Sequence, residues 1–138
     1  MKNLQADGST TIVCLCGSAS QKVDFEAAEY REELAGKIVL TLNIFSTSNG
    51  IKLTDKQLEL ITDLHYAKIQ MAHEVLVVLK PDPIGTLKYN DRIGFHTNRE
   101  IGYALGKDKV VNYFDAYARS NITNEMPNNN GHRRVLEL

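Results

Sequence analysis

The chain has 138 residues, of which 43% are hydrophobic and 24% are charged, with a net charge of −1. This composition fits one globular domain and gives no electrostatic basis for binding nucleic acid or an anionic membrane surface. The apolar runs are too short to span a bilayer, and residues 1–10 are polar rather than signal-like, so we expect a cytoplasmic protein.

The first half of the chain predicts two strands with a helix between them. Residues 11–16 form a short apolar run rich in branched side chains, which is typical of a buried strand. Residues 37–45 predict a second strand of the same kind. Between them, residues 20–34 predict a helix whose apolar face carries Val23, Ala27, Tyr30 and Leu34.

The middle of the chain predicts a long helix that runs into a third strand. Residues 54–71 are amphipathic, and Thr54 followed by Gln57 three residues later is the pattern of a capping box. The predicted packing face of this helix carries Leu58, Ile61, Leu64, Lys68 and Met71. Residues 75–79 are continuously apolar, as expected of a strand that is covered on both faces.

A long loop precedes the last helix and strand. Residues 80–96 contain two prolines and two glycines and predict this loop, and loops longer than about 12 residues in compact domains are commonly functional. Residues 97–107 predict the third helix, and residues 109–114 predict a fourth strand. Residues 115–138 are polar and rich in asparagine, and they predict a tail or a segment that contacts another subunit.

Alternating strands and helices predict the α/β fold class. The expected architecture is a small doubly wound parallel sheet, Rossmann-like or flavodoxin-like, with about four to five strands flanked by helices. A single domain of this kind would occupy residues 11–114, between a polar tail at residues 1–10 and the C-terminal segment. Such sheets bind ligands at the carboxyl ends of their strands, near the point where the strand order reverses. We expect that edge to collect Gly17, Ser18 and the start of the helix that carries Glu100.

The two cysteines, Cys14 and Cys16, lie two residues apart on the first predicted strand, so their side chains point to the same face. We interpret them as core thiols, which fits a reducing cytoplasm. A Cys-x-Cys pair without a second ligand cluster is a poor zinc site, and the histidines lack metal-ligand spacing. The sequence therefore predicts no metal and no cofactor. No cysteine has an obvious histidine partner and no Gly-x-Ser-x-Gly motif occurs, so a hydrolase triad is not favoured.

Two features at the predicted ligand edge have both a functional and a structural interpretation. Gly17 and Ser18 open a helix, where free N–H groups attract a phosphate or a sugar hydroxyl, but they also suit a tight turn with a serine N-cap. Glu100 follows Thr97 by three residues, which fits a capping box in the first turn of the third helix. A carboxylate at a helix N-terminus is also held ionised by the helix dipole, as a nucleophile at neutral pH requires.

Further polar side chains are candidates for the same site. His65 and Asp63 lie near the middle of the second helix. They suit contact with a sugar hydroxyl or proton transfer if that helix passes under the site, and otherwise they are solvent-facing residues of an amphipathic helix. His96 and Thr97 stand at the start of the third helix and are candidate substrate-binding residues. The alternative for His96 is a simple loop histidine.

Three segments together resemble the nucleoside 2-deoxyribosyltransferase family and its nucleotide N-glycoside hydrolase relatives. Residues 16–18, Cys-Gly-Ser, resemble the turn after the family's first strand. Residues 68–77 resemble the helix that runs into its third strand, and residues 100–107, EIGYALGK, resemble its glutamate helix, which is the most specific match. Ala19 stands where relatives that act on nucleoside monophosphates have an arginine, and Lys22 is the candidate replacement.

The resemblance implies that Glu100 attacks the anomeric carbon of a nucleoside or nucleotide. The glycosyl group then passes to water or to a second base, as in a retaining glycosidase. Where the family has an aspartate on the second helix, this chain has His65, so either His65 or nearby Asp63 would assist. The implied ligands of the sugar or phosphate are Gly17 and Ser18. A homodimer or larger homo-oligomer is also implied, because family sites lie at subunit interfaces.

Three alternatives stay open at this point. A non-catalytic sensor of a nucleotide or nucleotide derivative would keep the pocket without the aspartate. A phosphoribohydrolase of the lysine-decarboxylase-like group also has a glycine-rich loop before a glutamate helix, but residues 94–97 carry only one glycine. In a structural interaction domain, Glu100 would be only a helix cap. Whether the chain is an enzyme, which base and sugar it prefers, and whether it hydrolyses or transfers are left open by the sequence.

Overall fold

The computed structural model describes residues 10–116, apart from the side chains of residues 89 and 90. The predictions for residues 1–9 and 117–138 lie outside this range. The strands are β1 (Ile12–Gly17), β2 (Ile38–Leu40), β3 (Glu74–Val78) and β4 (Val110–Phe114). The helices are α1 (Lys22–Leu34), α2 (Phe45–Ser48), α3 (Asp55–Met71) and α4 (Phe95–Gly106), with a 3-10 turn at Tyr89–Arg92.

The four strands form one parallel sheet in the order β2-β1-β3-β4, which confirms the predicted α/β class. β1 pairs with β2 on one side and with β3 on the other, so that Cys14 lies opposite both Leu40 and Val75. The chain leaves β1 in one direction to reach β2 and later returns to its other side to form β3 and β4. The strand order therefore reverses between β1 and β3, and the crevice at their carboxyl ends is the expected ligand position.

Helices cover both faces of the sheet and create two separate apolar clusters. On one face α1 packs over a cluster that includes Val13, Leu15, Phe25, Ala28 and Phe114. On the other face α3 and α4 pack over a cluster that includes Cys14, Cys16, Ile69, Val77 and Ile101. Alternate residues of β1 thus point to opposite faces, as the period of a strand requires. Both cysteines belong to the α3–α4 face, and both are completely buried.

The second strand is much shorter than the predicted range of residues 37–45. Only Ile38–Leu40 pair with β1, and the chain then continues to the short helix α2. β2 lies at the edge of the sheet, where Ile38 is exposed and the other two residues are only partly buried. An apolar run predicts burial but not how many of its residues find a neighbouring strand, so the predicted length was wrong.

The packing faces predicted for α1 and α3 were also wrong. In α1, Val23 and Leu34 are more than 70% exposed, whereas Asp24 and Glu32 are buried. In α3, the buried side chains are His65 and Ile69, while Leu58, Leu64 and Met71 are about half exposed or more. Buried polar residues on the packed faces explain the error: Glu32, for example, is paired with Arg31 and Lys37. The hydrophobic pattern alone gives the wrong rotation of a helix when its inner face contains paired polar groups.

The ends of the long helices test the two predicted capping boxes. At the start of α3, the Gln57 backbone N–H donates to the Thr54 hydroxyl and the Thr54 N–H donates to the Gln57 side chain, which confirms the box. The box predicted for Thr97 and Glu100 was wrong, because α4 begins two residues earlier, at Phe95, with Gly94 as its N-cap. Glu100 consequently lies in the second turn, where no free backbone N–H needs it. None of the helices within residues 10–116 has the length and apolar character that crossing a membrane requires.

Candidate functional site

The centre of the candidate site is a contact between α3 and α4 beneath the sheet. His65 on α3 lies 2.9 Å from Glu100 on α4, measured from Nδ1 to Oε2. The other ring nitrogen, Nε2, lies 2.9 Å from the backbone oxygen of Leu15 in β1. The helices are held together beside this contact by Tyr66 and Tyr103, whose rings pack edge to face at 5.0 Å. Three elements that are distant in sequence therefore fix the position of one imidazole.

The hydrogen-bond partners of His65 define its protonation state. A backbone carbonyl only accepts hydrogen bonds, so Nε2 must donate to Leu15, and an ionised Glu100 carboxylate likewise requires Nδ1 to donate. Both nitrogens then carry protons and His65 is an imidazolium. Burial lowers the pKa of His65, but hydrogen bonds to Cys14 and Glu100 outweigh this effect and raise that pKa to about 10. The side chains of His65 and Glu100 are only 7% and 13% exposed, so this ion pair is largely shielded from water.

The two cysteines of β1 lie next to the same imidazole. Their Sγ atoms are 3.7 Å (Cys14) and 3.9 Å (Cys16) from His65 Nε2. The hydrogen bond from Cys16 is the main influence on Cys14 and, together with His65, it overcomes burial and lowers the pKa of the Cys14 thiol to about 6. The hydrogen bond with Cys14 and burial both raise the pKa of Cys16. The expectation that neither cysteine has a histidine partner was wrong, since both sulfurs lie near His65. The contact was not visible in the sequence because 49 and 51 residues separate the partners.

The carboxyl ends of β1 and β3 approach each other closely at Gly17. A Cβ atom on Gly17 would lie 2.8 Å from the Val78 backbone oxygen and 3.0 Å from the ring of Phe25, so only glycine fits. The side chain of Gln21 then joins the two loops: its Nε2 donates to the Leu79 oxygen, and its Oε1 accepts from the Ser18 N–H. Sequence reasoning missed Gln21, and a buried glutamine at the N-cap of a helix gives no distinctive sequence signal.

An open cavity of about 330 Å³ lies beside this junction at the start of α1. Its lining includes Ser20, Gln21, Lys22, Asp24 and Pro81, so it combines the loop after β1 with the loop after β3. Lys22 lines the cavity, and its ammonium is paired with the exposed Glu26 carboxylate one turn further along α1. The cavity therefore lies at the reversal point of the strand order and at the N-terminus of α1, and its lining includes both a lysine and the carboxyl residue Asp24.

The remaining sequence candidates are placed in different surroundings. Asp63 is exposed on the outer side of α3, in a shallow surface depression of about 460 Å³ shared with Thr54, Lys56 and Glu59. The structure does not bring Asp63 to Glu100, since His65 occupies the inner face of α3. His96 is exposed, with its ring 5.5 Å from that of Phe95, and Thr97 is buried in the first turn of α4. His65 is the candidate that joins Glu100 directly.

Fold and site together define a doubly wound parallel α/β domain in which a carboxylate–imidazolium pair joins α3, α4 and β1. Among solved structures, the chain is similar to a 2-deoxyribosyltransferase from the psychrotolerant bacterium Bacillus psychrosaccharolyticus. The TM-score is 0.50 and the identity 14%, over 78% of this chain and 74% of that one. It is also similar to a CMP N-glycosidase from Clostridium botulinum, with a TM-score of 0.47 and 17% identity over 79% and 75% of the two chains. The first similarity confirms the fold that the sequence motifs indicate.

No protein-family model matches the chain, and no curated protein matches it in sequence. The likeness is therefore one of backbone arrangement, and the roles of individual side chains have to be argued from their own geometry.

Proposed function

We propose that the protein binds a nucleoside or nucleotide at the carboxyl edge of β1 and β3 and cleaves or transfers its N-glycosidic bond, with Glu100 as the nucleophile. The observation that carries this proposal is the 2.9 Å contact between Glu100 and the His65 imidazolium. It fixes the orientation of a largely buried carboxylate. The shared fold with a 2-deoxyribosyltransferase supports chemistry at this type of bond.

The proposed reaction uses one oxygen of Glu100 while His65 holds the other. Oε2 accepts the hydrogen bond from His65 Nδ1, which leaves Oε1 to attack the anomeric carbon of the sugar. The bond from that carbon to the base nitrogen breaks, and the base takes its electron pair and acquires a proton from a general acid or water. Water or a second base then attacks the same carbon, displaces Glu100 and restores the carboxylate.

Substrate recognition is proposed for the loops above this pair. Gly17 and Ser18 would bind the sugar or phosphate, and the cavity at the start of α1 offers Lys22 and helix N–H groups to an anionic group. His96 is exposed at the start of α4, where it suits contact with the departing base. Thr97 is buried and would act by holding the first turn of α4 in place.

A second candidate function, nucleotide binding without catalysis, is favoured by one specific feature. An imidazolium bonded directly to a carboxylate withdraws electron density from it, and this weakens the carboxylate as a nucleophile. In the family that the sequence resembles, an aspartate stands at the position of His65. A sensor would retain the ligand edge and use the His65–Glu100 pair only to hold α3 against α4.

The decisive experiment measures base release from a panel of nucleosides and nucleoside monophosphates, with and without a second free base. We expect wild-type turnover, and a loss of several orders of magnitude in Glu100→Gln, because a neutral amide cannot form the glycosyl intermediate. Glu33→Gln, which neutralises an exposed carboxylate on α1, is the matched control and should keep wild-type turnover. Full turnover in Glu100→Gln would refute the proposed nucleophile.

The His65→Asp variant separates the two candidate functions. If His65 orients a catalytic carboxylate, this variant, checked for folding by circular dichroism, should turn over substrate measurably but more slowly than wild type. For the sensor, wild type and variant should both be inactive, while a nucleotide at about 100 times its dissociation constant stabilises wild type by roughly 2.7 kcal/mol in thermal unfolding. No turnover and no stabilisation with any nucleoside or nucleotide would eliminate both functions.

We also propose that the protein forms a homodimer or larger homo-oligomer. The outer face of α3 exposes Leu60, Leu64 and Met71, each more than half exposed. An exposed apolar helix face of this kind is typical of a surface that packs against another chain. Light scattering of the purified protein should give a mass of at least two chains, and Leu64→Glu should shift the distribution toward the monomer.

A further inference from the structure

We propose that Cys14, Cys16 and His65 form a binding site for a soft metal ion, Zn²⁺ or Cu⁺. The site shares His65 with the proposed catalytic pair, but metal binding does not depend on the proposed nucleoside function. The three donors are two thiols of the central strand β1 and one imidazole of α3, and all three residues are buried. Thiolate and imidazole donors are the set that selects these two ions in proteins.

The spacing of the donor atoms matches metal coordination. The ligand atoms of all three residues lie within 4.8 Å of one another, and the two sulfurs are 3.7 and 3.9 Å from His65 Nε2. A sulfur at a bond length of about 2.3 Å and a nitrogen at about 2.0 Å, at a tetrahedral angle, are about 3.5 Å apart, and two such sulfurs are about 3.8 Å apart. The two nitrogen–sulfur distances therefore need to contract by a few tenths of an ångström. The two sulfurs, now within 4.8 Å of each other, have to approach by side-chain rotation, and the His65 ring has to turn Nε2 from the Leu15 oxygen toward the ion.

The surroundings of the site hold the donors in place before a metal arrives. β1 is paired on both sides, so the two thiols project from a fixed strand. Glu100 bonds to His65 Nδ1, the nitrogen that faces away from the sulfurs. A carboxylate in this position is the usual partner of a metal-bound histidine, because it orients the ring and raises its basicity.

Metal binding has a defined proton balance. The ion replaces the thiol proton of Cys16, any proton that Cys14 carries at the working pH, and the Nε2 proton of His65, which is otherwise donated to the Leu15 oxygen. The Nδ1 proton stays in the bond to Glu100. With Zn²⁺ the two thiolates neutralise the ion, and water would complete the coordination, whereas Cu⁺ accepts the three donors without a further ligand. We therefore expect four ligands around Zn²⁺ and three around Cu⁺ at this site.

The test is equilibrium metal binding to the reduced, chelator-treated full chain. Zn²⁺ is titrated against a chromophoric chelator, and Cu⁺ is titrated without oxygen against a copper(I)-specific chelator. We expect one tightly bound ion per chain for at least one of the two metals. Co²⁺ substituted for Zn²⁺ should give a thiolate-to-metal charge-transfer band and the visible bands of a tetrahedral site, a readout that needs no variant.

Variants assign the binding to these residues. Cys14→Ser and Cys16→Ser, checked for folding by circular dichroism, should each lose the tight binding and the charge-transfer band. Glu100→Gln should keep the band but weaken affinity by about 10–100-fold, since it alters the hydrogen-bond partner of His65 and leaves the three donor residues in place. His96→Gln, an exposed histidine outside the cluster, is the control and should bind metal as wild type does. Absence of stoichiometric binding of both ions, or unchanged binding in both cysteine variants, would overturn the proposal.

Discussion

The two faces of the sheet are stabilised by different kinds of interaction. On the α1 face, Phe25, Leu15 and Phe114 form an apolar layer, and Gly17 lets Phe25 approach the strand ends. On the α3–α4 face, the apolar layer encloses a polar cluster in which His65 is bonded to Glu100 and to β1. The close contact at Gly17 on the first face depends on shape, and the His65–Glu100 contact on the second depends on charge. A substitution should therefore have a different signature on each face, and four predictions test this contrast.

The largest effect is expected on the α3–α4 face. His65→Leu removes the cation and leaves Glu100 without its partner in a largely buried position, which should lower the free energy of unfolding by about 3–5 kcal/mol. The double variant His65→Leu with Glu100→Leu should recover much of this loss, since no unpaired charge remains. Urea denaturation of the single and double variants measures the coupling, and purely additive effects would contradict a charge-based interaction.

A smaller loss is expected from shape on the α1 face. Gly17→Ala places a methyl group against the Val78 oxygen and the Phe25 ring, and should cost about 1–3 kcal/mol. The matched control is Gly102→Ala, because a Cβ on this exposed residue of α4 meets open space. Alanine there should stabilise the protein by roughly 0.5–1 kcal/mol through its better helix propensity. Equal effects of the two substitutions in thermal unfolding would exclude a specific contact at Gly17.

The His65 cluster on the α3–α4 face should also make the stability of the protein depend on pH. The pKa of His65 is raised from 6.5 to about 10 in the folded protein. Its contribution to stability is therefore complete below about pH 6.5 and is lost as the pH rises through about 10. The pKa of Cys14 is lowered from 9.0 to about 6, so its contribution is present above about pH 9 and is lost as the pH falls through about 6.

These opposite slopes should largely compensate between about pH 6.5 and 9 in the metal-free wild type. Cys14→Ser removes the Cys14 slope and also the hydrogen bond that contributes most to raising the pKa of His65, so that Glu100 alone raises it. The stability of this variant should therefore fall as the pH rises above about 6.5, where the unfolded histidine loses its proton, and the loss should be complete at a lower pH than about 10. Denaturation midpoints of wild type and Cys14→Ser, measured with a chelator at several pH values, provide the comparison. A variant as insensitive to pH as wild type would argue against a charged His65.

The smallest effect is expected on the face of α1 that the sequence pattern predicted to be buried. Val23 is 73% exposed, so Val23→Ser should change the free energy of unfolding by no more than about 0.5 kcal/mol. Ala28 on the same helix is completely buried, and Ala28→Ser should be clearly more destabilising than Val23→Ser. If Val23→Ser were the more destabilising of the two in urea denaturation, α1 would pack with the face that hydrophobic periodicity predicts.

The sequence predicted the order of the strands and long helices and the sheet class, while the role of Glu100 stays a prediction. Alternating apolar and amphipathic segments were sufficient for the first two, because strands covered by helices have few polar interruptions. Helix rotation was not predictable, since it depends on which buried polar residues find partners: Glu32 finds Arg31 and Lys37, and His65 finds Glu100. The cluster around Cys14 was missed for a related reason, because its members meet only after α3 packs on β1. A lone histidine four residues before buried Ile69 was the one available signal.

The shared imidazole links two chemical events that occur on opposite sides of one ring. Nε2 faces the cysteines and Nδ1 faces Glu100, so a change of charge at the first nitrogen alters the partner of the second. By thermodynamic reciprocity, an ion that binds at the sulfurs and a ligand that engages Glu100 must affect each other's affinity by the same factor. A rigid ring held by β1, α3 and α4 transmits this coupling without any movement of the backbone.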